Sequence, residues 1–181
     1  MKSLTLLRHA KSGWDDPVAR DFDRPVNEKG KKAAEMMGRY AREQGMQFDL
    51  MLSSPAVRCG DTLDAFFLGY GDAIDPHWDR RIYLASSSTL LDVLHDTPAD
   101  IDRVIMVGHN PGLEDLILDL VPDDGSSSLR DAVEAKFPTA SIAVMEWDGD
   151  DWNSLGKSPA RLTLFKRPRD LDPTLGPDAS D

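Results

Sequence analysis

Four side chains carry the chemistry this chain can do. Arg8 and His9 end the apolar run Ser3-Leu4-Thr5-Leu6-Leu7, Arg58 follows Ser53-Ser54-Pro55, and His109 follows Arg103-Val104-Ile105-Met106-Val107-Gly108. Two guanidinium groups and two imidazoles, each set just beyond a β-rich segment, form a suitable cradle for a tetrahedral oxyanion. Each Arg offers a planar fork of donors that matches phosphate oxygens two at a time. An imidazole held over phosphorus can attack it and carry the phosphoryl group, dividing transfer into two steps. The flanking arginines then spread the charge of the equatorial oxygens. His9, beside Arg8 at its strand end, is the candidate nucleophile, and His109 the candidate donor to the phosphoryl oxygens.

Such a set meets only if its strands are neighbours, because the carboxyl ends of strands in an α/β sheet open onto the ligand crevice. Residues 3–7, 49–52 and 103–107 read as buried strands. Ser54 reads as the N-cap and Pro55 as the first residue of a helix burying Cys59, Leu63, Phe66, Phe67 and Tyr70. A second helix, opened by Asn110-Pro111, carries Leu113, Leu116, Ile117, Leu120 and Val121 on one face. Both helix starts add backbone N–H groups for an anion. A cation such as Arg58 is disfavoured near a helix N-terminus, so its place there points to an anionic partner. Ser12 and Asn110 are further candidates for binding phosphate.

Asn27 caps another helix, with Ala33, Met36, Met37, Tyr40 and Ala41 on one stripe and Gly45 at its end. Ser86-Ser87-Ser88 caps residues 89–96. Residues 141–147 and 161–166 alternate as an antiparallel pair at a sheet edge, with Trp147 and Trp152 packing that hairpin. The expected architecture is a single α/β domain over residues 1–166, with a mostly parallel central sheet flanked by helices and antiparallel edge strands. Residues 167–181, rich in acids, Pro and Gly, read as a loose tail. The polar stretch 8–26, with Lys11, Ser12 and Trp14 at the mouth of the site, has a length that goes with function or disorder.

The formal charge of −11 over 181 residues argues against a general nucleic-acid binder and against docking on an anionic membrane. It leaves room for a small cationic pocket, because local Arg and His fields override the global sign. One cysteine forbids an internal disulfide and fits a reducing compartment. No signal-peptide apolar region precedes Arg8, and no run reaches the ~18 apolar residues of a membrane span. The expected location is the cytoplasm. Cys59 and the four histidines show no paired-ligand spacing, so neither metal nor cofactor is expected.

Leu7-Arg8-His9-Ala10-Lys11-Ser12, Ser53-Ser54-Pro55 with Arg58, and Val107-Gly108-His109-Asn110-Pro111 together resemble the signatures of the histidine phosphatase superfamily. The likeness runs in order and spacing over roughly residues 2–166 and is nearest to the small SixA-like branch, the phosphohistidine phosphatases. It implies a phosphoglycerate mutase-like fold, His9 as the phosphorylated nucleophile, Arg8 and Arg58 as phosphate ligands, and His109 as the remaining pocket residue. Asp23-Arg24-Pro25 is similar to the family's loop that brings an arginine, here Arg24, toward the phosphate. The family needs no metal.

Two departures stand out. Ala10 replaces the commoner Gly, and Arg81-Ile82-Tyr83-Leu84 stands where larger phosphomonoesterase relatives place an acid after the third strand. An alkoxide leaving group needs that acid. Phosphohistidine releases an imidazole whose conjugate acid has a pKa of about 6.5 and departs without one. Asp21, Asp23, Asp79 and Glu114 remain possible substitutes. The reading is therefore removal of phosphate from a phosphohistidine-bearing protein. A phosphomonoesterase for a small phosphorylated substrate, or a non-catalytic phosphate-binding module, are the alternatives.

Overall fold

The computed structural model describes residues 1–13 and 20–176. Its inner strands are short runs of Leu, Val, Ile and Met buried on both faces, the pattern of a sheet covered by helices on each side, while the edge strands are partly exposed. β1 (Lys2–Arg8), β2 (Leu50–Ser53), β3 (His77–Trp78), β4 (Arg103–Gly108), β5 (Ile142–Trp147) and β6 (Arg161–Lys166) lie in the order β3-β2-β4-β1-β5-β6. The first four are mutually parallel, whereas β5 runs antiparallel to both β1 and β6.

Alternation along the strands builds two cores. Leu4, Leu6, Val104, Met106, Ala143 and Met145 face α3 (Ser87–His95), α4 (Gly112–Leu120) and α5 (Ser128–Ala135). Leu7, Ile105, Val107, Ile142 and Val144 face α1 (Glu28–Glu43) and α2 (Val57–Tyr70). Each of the Leu, Ile, Val and Met side chains contributes about 1.5–3 kcal/mol when fully buried.

Asn27 caps α1 as its sequence predicts, its Oδ1 accepting from Gly30 N at 2.8 Å. The buried face of α1 is made of small residues, so the backbones of α1 and α2 come close. A Cβ on Gly38 would lie 2.0 Å from Phe66 O, and one on Gly69 1.8 Å from Glu35 O. Met36 and Tyr40 lie only half-buried beside that face.

The structure corrects two expectations. The N-cap of α2 is Ala56, so Ser54 and Pro55 precede the helix and the Ser54 hydroxyl is available elsewhere. Trp147 and Trp152 pack the β5–β6 hairpin as its sequence predicts, fully buried and edge to face at 4.9 Å, with Trp147 Nε1 donating to Ser154 Oγ at 3.1 Å. α5 carried no clear sequence signal, being barely two turns long. Its Arg130 reaches back to the carbonyls of Leu118 and Val121 and satisfies the end of α4.

The second concerns the chain end. Residues 167–176 are ordered as α6 (Pro168–Leu171) and a 3₁₀ turn, Pro173–Leu175. Prolines at the first turns are compatible with helix, and Asp170 and Asp172 accept from nearby backbone N–H groups. Leu171 and Leu175 pack on the α1/α2 core, and Lys29 Nζ donates to Gly176 O at 2.8 Å. Trp14 and residues 177–181 lie outside the described residues. Among the described residues, no helix is long and apolar enough to cross a membrane.

Candidate active site

β1, β4 and β2 end side by side. Arg8 is in register with Gly108, and Ser53 with Val107. His9 N then donates to Gly108 O, and Ser54 N to Val107 O, so the three signature segments leave the sheet along one edge. A cavity of about 510 Å³ opens there, lined by Arg8, His9, Lys11, Ser12, Asp21, Arg24, Arg58, His109 and Asn110 among others.

His9 is buried, with Nδ1 2.8 Å from the Ala10 carbonyl oxygen. A carbonyl only accepts, so the proton sits on Nδ1 and Nε2 keeps its lone pair. Burial, joined by the charges of Arg8 and Arg58, pushes the pKa of His9 down to about 3 despite the Ala10 bond. At neutral pH the ring is an uncharged base. Ala10 N in turn donates to Thr62 Oγ1 at 2.8 Å, and Thr62 Oγ1 to Arg58 O at 2.6 Å, which ties the His9 loop to the turn of α2 that carries Arg58.

His109 packs with its ring centroid 5.3 Å from that of His9. Its Nδ1 lies 3.3 Å from Arg58 Nη2, which only donates, so Nδ1 accepts. The proton is then on Nε2, 2.8 Å from Ser54 Oγ. Burial, and next the Arg58 charge, bring the His109 pKa to about 4. Both ring nitrogens are thus engaged. In this arrangement the nitrogen facing Arg58 carries no proton, and the one that does is directed at Ser54.

Arg58 is 2 % exposed, and it is here that the anion demanded by a cation at a helix start is found. Its Nη1 donates to Asp21 O at 2.7 Å and its Nη2 to Asp21 Oδ2 at 3.0 Å. Tyr83 Oη also donates to Asp21 Oδ2. Burial raises the Asp21 pKa, but the bonds from Tyr83 and Arg58 outweigh it and hold the carboxyl below its ordinary value. Arg24 is buried with Nε and Nη2 each 3.2 Å from Asp21 Oδ1. Arg8 Nη1 donates to Phe137 O at 2.9 Å, and the Nε atoms of Arg8 and Arg58 are buried without a partner.

Ser12 and Asn110 reach the cavity wall, but their bonds hold loops. Ser12 Oγ donates to Pro25 O at 2.8 Å, while Asn110 Nδ2 donates to Phe137 O and Asn110 Oδ1 accepts from Glu114 N. Cys59 is a core residue near His109, its thiol pushed up to about 12 by burial. Among the described residues, no group of His, Cys, Asp and Glu side chains is arranged to hold a metal ion. Sequence reasoning missed the grip of Asp21 on Arg58 and the bond between Ser54 and His109. Asp21 stood out only as a possible acid and Ser54 only as a cap. Tyr83 gave no signal at all.

A family model described as the histidine phosphatase superfamily, branch 1, matches residues 4–81. The crystal structure of SixA from Agrobacterium tumefaciens is 32% identical, aligns over 91% of this chain and 97% of its own, and has a TM-score of 0.76. The chain belongs to the histidine phosphatase superfamily. SixA from Nakamurella multipartitia superposes with a TM-score of 0.80 at 28% identity, over 92% of this chain and 96% of that one. An uncharacterised protein of Mycobacterium tuberculosis is 29% identical over 164 residues, covering 90% of this chain and all of its own. Of the four candidate site residues, His109 lies beyond the segment matched by the family model. Strand pairing brings it to the site all the same.

Proposed function

We propose that this histidine phosphatase removes phosphate from protein phosphohistidine through a covalent intermediate on His9. One observation carries the reading: a neutral His9, protonated on Nδ1, stands beside Arg8, Arg58 and Arg24 in one cavity. In the first step Nε2 attacks phosphorus. The N–P bond to His9 forms as the N–P bond of the substrate breaks, and the substrate ring, protonated from solvent on its other nitrogen, departs as neutral imidazole. In the second step water attacks the phosphoenzyme, the bond to His9 Nε2 breaks, and inorganic phosphate leaves. Arg58 turns its fork from Asp21 to the phosphoryl oxygens as substrate binds, joined by Arg8 and Arg24, so that these donors are in place before the transition state forms.

The choice of a P–N bond rests on the acid. Asp21 is the one carboxylate lining the cavity among the described residues, and Tyr83, Arg58 and Arg24 hold it ionised. An ionised carboxylate does not protonate an alkoxide, whereas imidazole leaves readily near neutral pH. The two SixA structures are provisionally named phosphohistidine phosphatases, which agrees with this choice.

Incubation with a phosphohistidine peptide should give an acid-labile, base-stable label that His9→Ala abolishes. Steady-state rates on that peptide should exceed those on sugar phosphates. Faster turnover of the esters by orders of magnitude would make the protein a phosphomonoesterase, and absence of label in either protein would leave only a binding module.

A further inference from the structure

Beyond the phosphoryl centre the same cavity continues along α1, the 136–139 turn and α6. Its outer wall carries Lys11, Lys29, Lys136, Arg167 and Arg169. The chain has 32 acidic residues against 21 Lys and Arg, yet Asp21 is the one carboxylate on the described lining. The excess of cations is therefore local to the cavity, and low-dielectric walls focus such a field on what enters.

Arg169 is the telling member. It is half-buried on the cavity lining, and its Nε, with no hydrogen-bond partner, leaves the rest of the guanidinium fork to meet what enters. It also sits on a segment fixed in place. Arg167 N and Nη2 donate to Asp170, Leu171 and Leu175 pack on the core, and Lys29 Nζ holds Gly176 O. Lys136 faces the cavity just before Phe137, whose carbonyl accepts from Arg8 Nη1. The outer wall and the phosphoryl centre are thus joined through one peptide unit.

We infer that the outer half of the cavity is a second anion subsite, in which Arg169 and Lys136 receive a further negative group of the substrate while the phosphoryl group lies at His9. This rests on the reading of the inner half as the phosphoryl centre. The group is a carboxylate or phosphate close to the scissile bond, because a broad acidic face would be repelled by a body of charge −11. On a phosphohistidine protein it is an acidic side chain flanking the phosphohistidine; on a small molecule it is a second phosphate.

The test is calorimetric titration of inorganic phosphate and of tripolyphosphate into the wild type, Arg169→Gln, Arg169→Lys and the Arg169→Gln/Lys136→Gln double variant. Tripolyphosphate should bind the wild type about tenfold more tightly than phosphate, the increment of a charge-assisted hydrogen bond. The double variant should lose most of that ratio and Arg169→Lys should keep part of it. A ratio near one in the wild type, or one that survives the double substitution, overturns the subsite.

Turnover then separates the sources. A preference for Glu-flanked over Gln-flanked phosphohistidine peptide that Arg169→Gln removes assigns the subsite to protein substrates. The same loss seen for a bisphosphate over a monophosphate assigns it to small molecules. Labelling of His9 by phosphoramidate is read alongside. Label without an anion preference overturns the subsite alone, and an anion preference without label overturns the His9 chemistry alone.

Discussion

Arg58 Nη2 donates to the Asp21 carboxylate over 3.0 Å, so the guanidinium best placed for a phosphoryl group already holds an internal anion. The pairing has a physical reason. Arg58 is 2 % exposed at the start of a helix, where both burial and the dipole penalise a lone cation. Asp21 answers that charge, and in the proposed mechanism it gives up its hold on Arg58 to the phosphoryl group.

Asp21→Asn keeps the backbone acceptor and the shape of the side chain but removes the competing charge. Inorganic phosphate should then bind severalfold more tightly, read as a lower product-inhibition constant. Weaker binding would mean that Asp21 orients Arg58 rather than competing for it. The same residue predicts a pH effect. The folded-state pKa of Asp21 lies below its unfolded value, so its contribution to stability is present above the unfolded pKa and fades as pH falls through the folded one. Wild type and Asp21→Asn should differ in urea stability at pH 7 and converge in acid.

His9 and His109 make the opposite kind of demand on folding. Their folded pKa values, about 3 and about 4, lie below the ordinary 6.5 because burial excludes the charged form. Between these values and 6.5 the unfolded chain binds protons that the folded one does not, so stability falls as pH drops below 6.5. Ring C–H resonances assigned with His9→Ala and His109→Ala should stay flat from pH 8 to pH 5 in the absence of phosphate. An inflection near 6.5 for His9 would remove the argument that it is a ready nucleophile.

Local signals made much of this fold legible. The Asn27 side chain caps the turn after it, and the apolar run of β4 has no other use than a buried strand. Arg8, His9, Arg58 and His109 were readable as a set because each follows a strand that pairs with its neighbour at the same end. What stayed hidden depends on contacts between distant loops. Asp21 is 37 residues from Arg58 and lies in a stretch with no periodicity, and Ser54 meets His109 across 55 residues. The tail misled for a different reason. Prolines and acids that suggest disorder by composition also cap short helical turns, and only packing of Leu171 and Leu175 decides between the two.

Arg58→Lys probes what the fork itself contributes. One guanidinium donates to the Asp21 carbonyl, the Asp21 carboxylate and His109 Nδ1, and a single ammonium cannot reach all three in the same geometry. Loss of a preorganised donor to developing charge costs roughly 10²–10³ in rate. Phosphoenzyme formation measured by rapid quench should slow by that order, with far less change in thermal unfolding. A variant as fast as the wild type would show that positive charge alone is sufficient at this position.

Gly69→Ala tests whether the approach of α1 to α2 matters for the site as well as for the core. Alanine is favoured over glycine in a helix by about 1 kcal/mol, which taken alone would stabilise α2. Here the new methyl would lie 1.8 Å from Glu35 O and 2.7 Å from Arg39 N, both backbone atoms that cannot swing aside. The helices must part, and overpacking of this kind costs roughly 1–3 kcal/mol. Urea unfolding should therefore show net destabilisation. Because Arg58 stands in the first turn of α2 and α1 begins beside Lys11 and Val26, parting them also widens the cavity between His9 and the loop that holds Asp21 and Arg24. His9 labelling in the folded variant should be slower than in the wild type. Normal labelling together with lowered stability would separate helix packing from the geometry of the pocket.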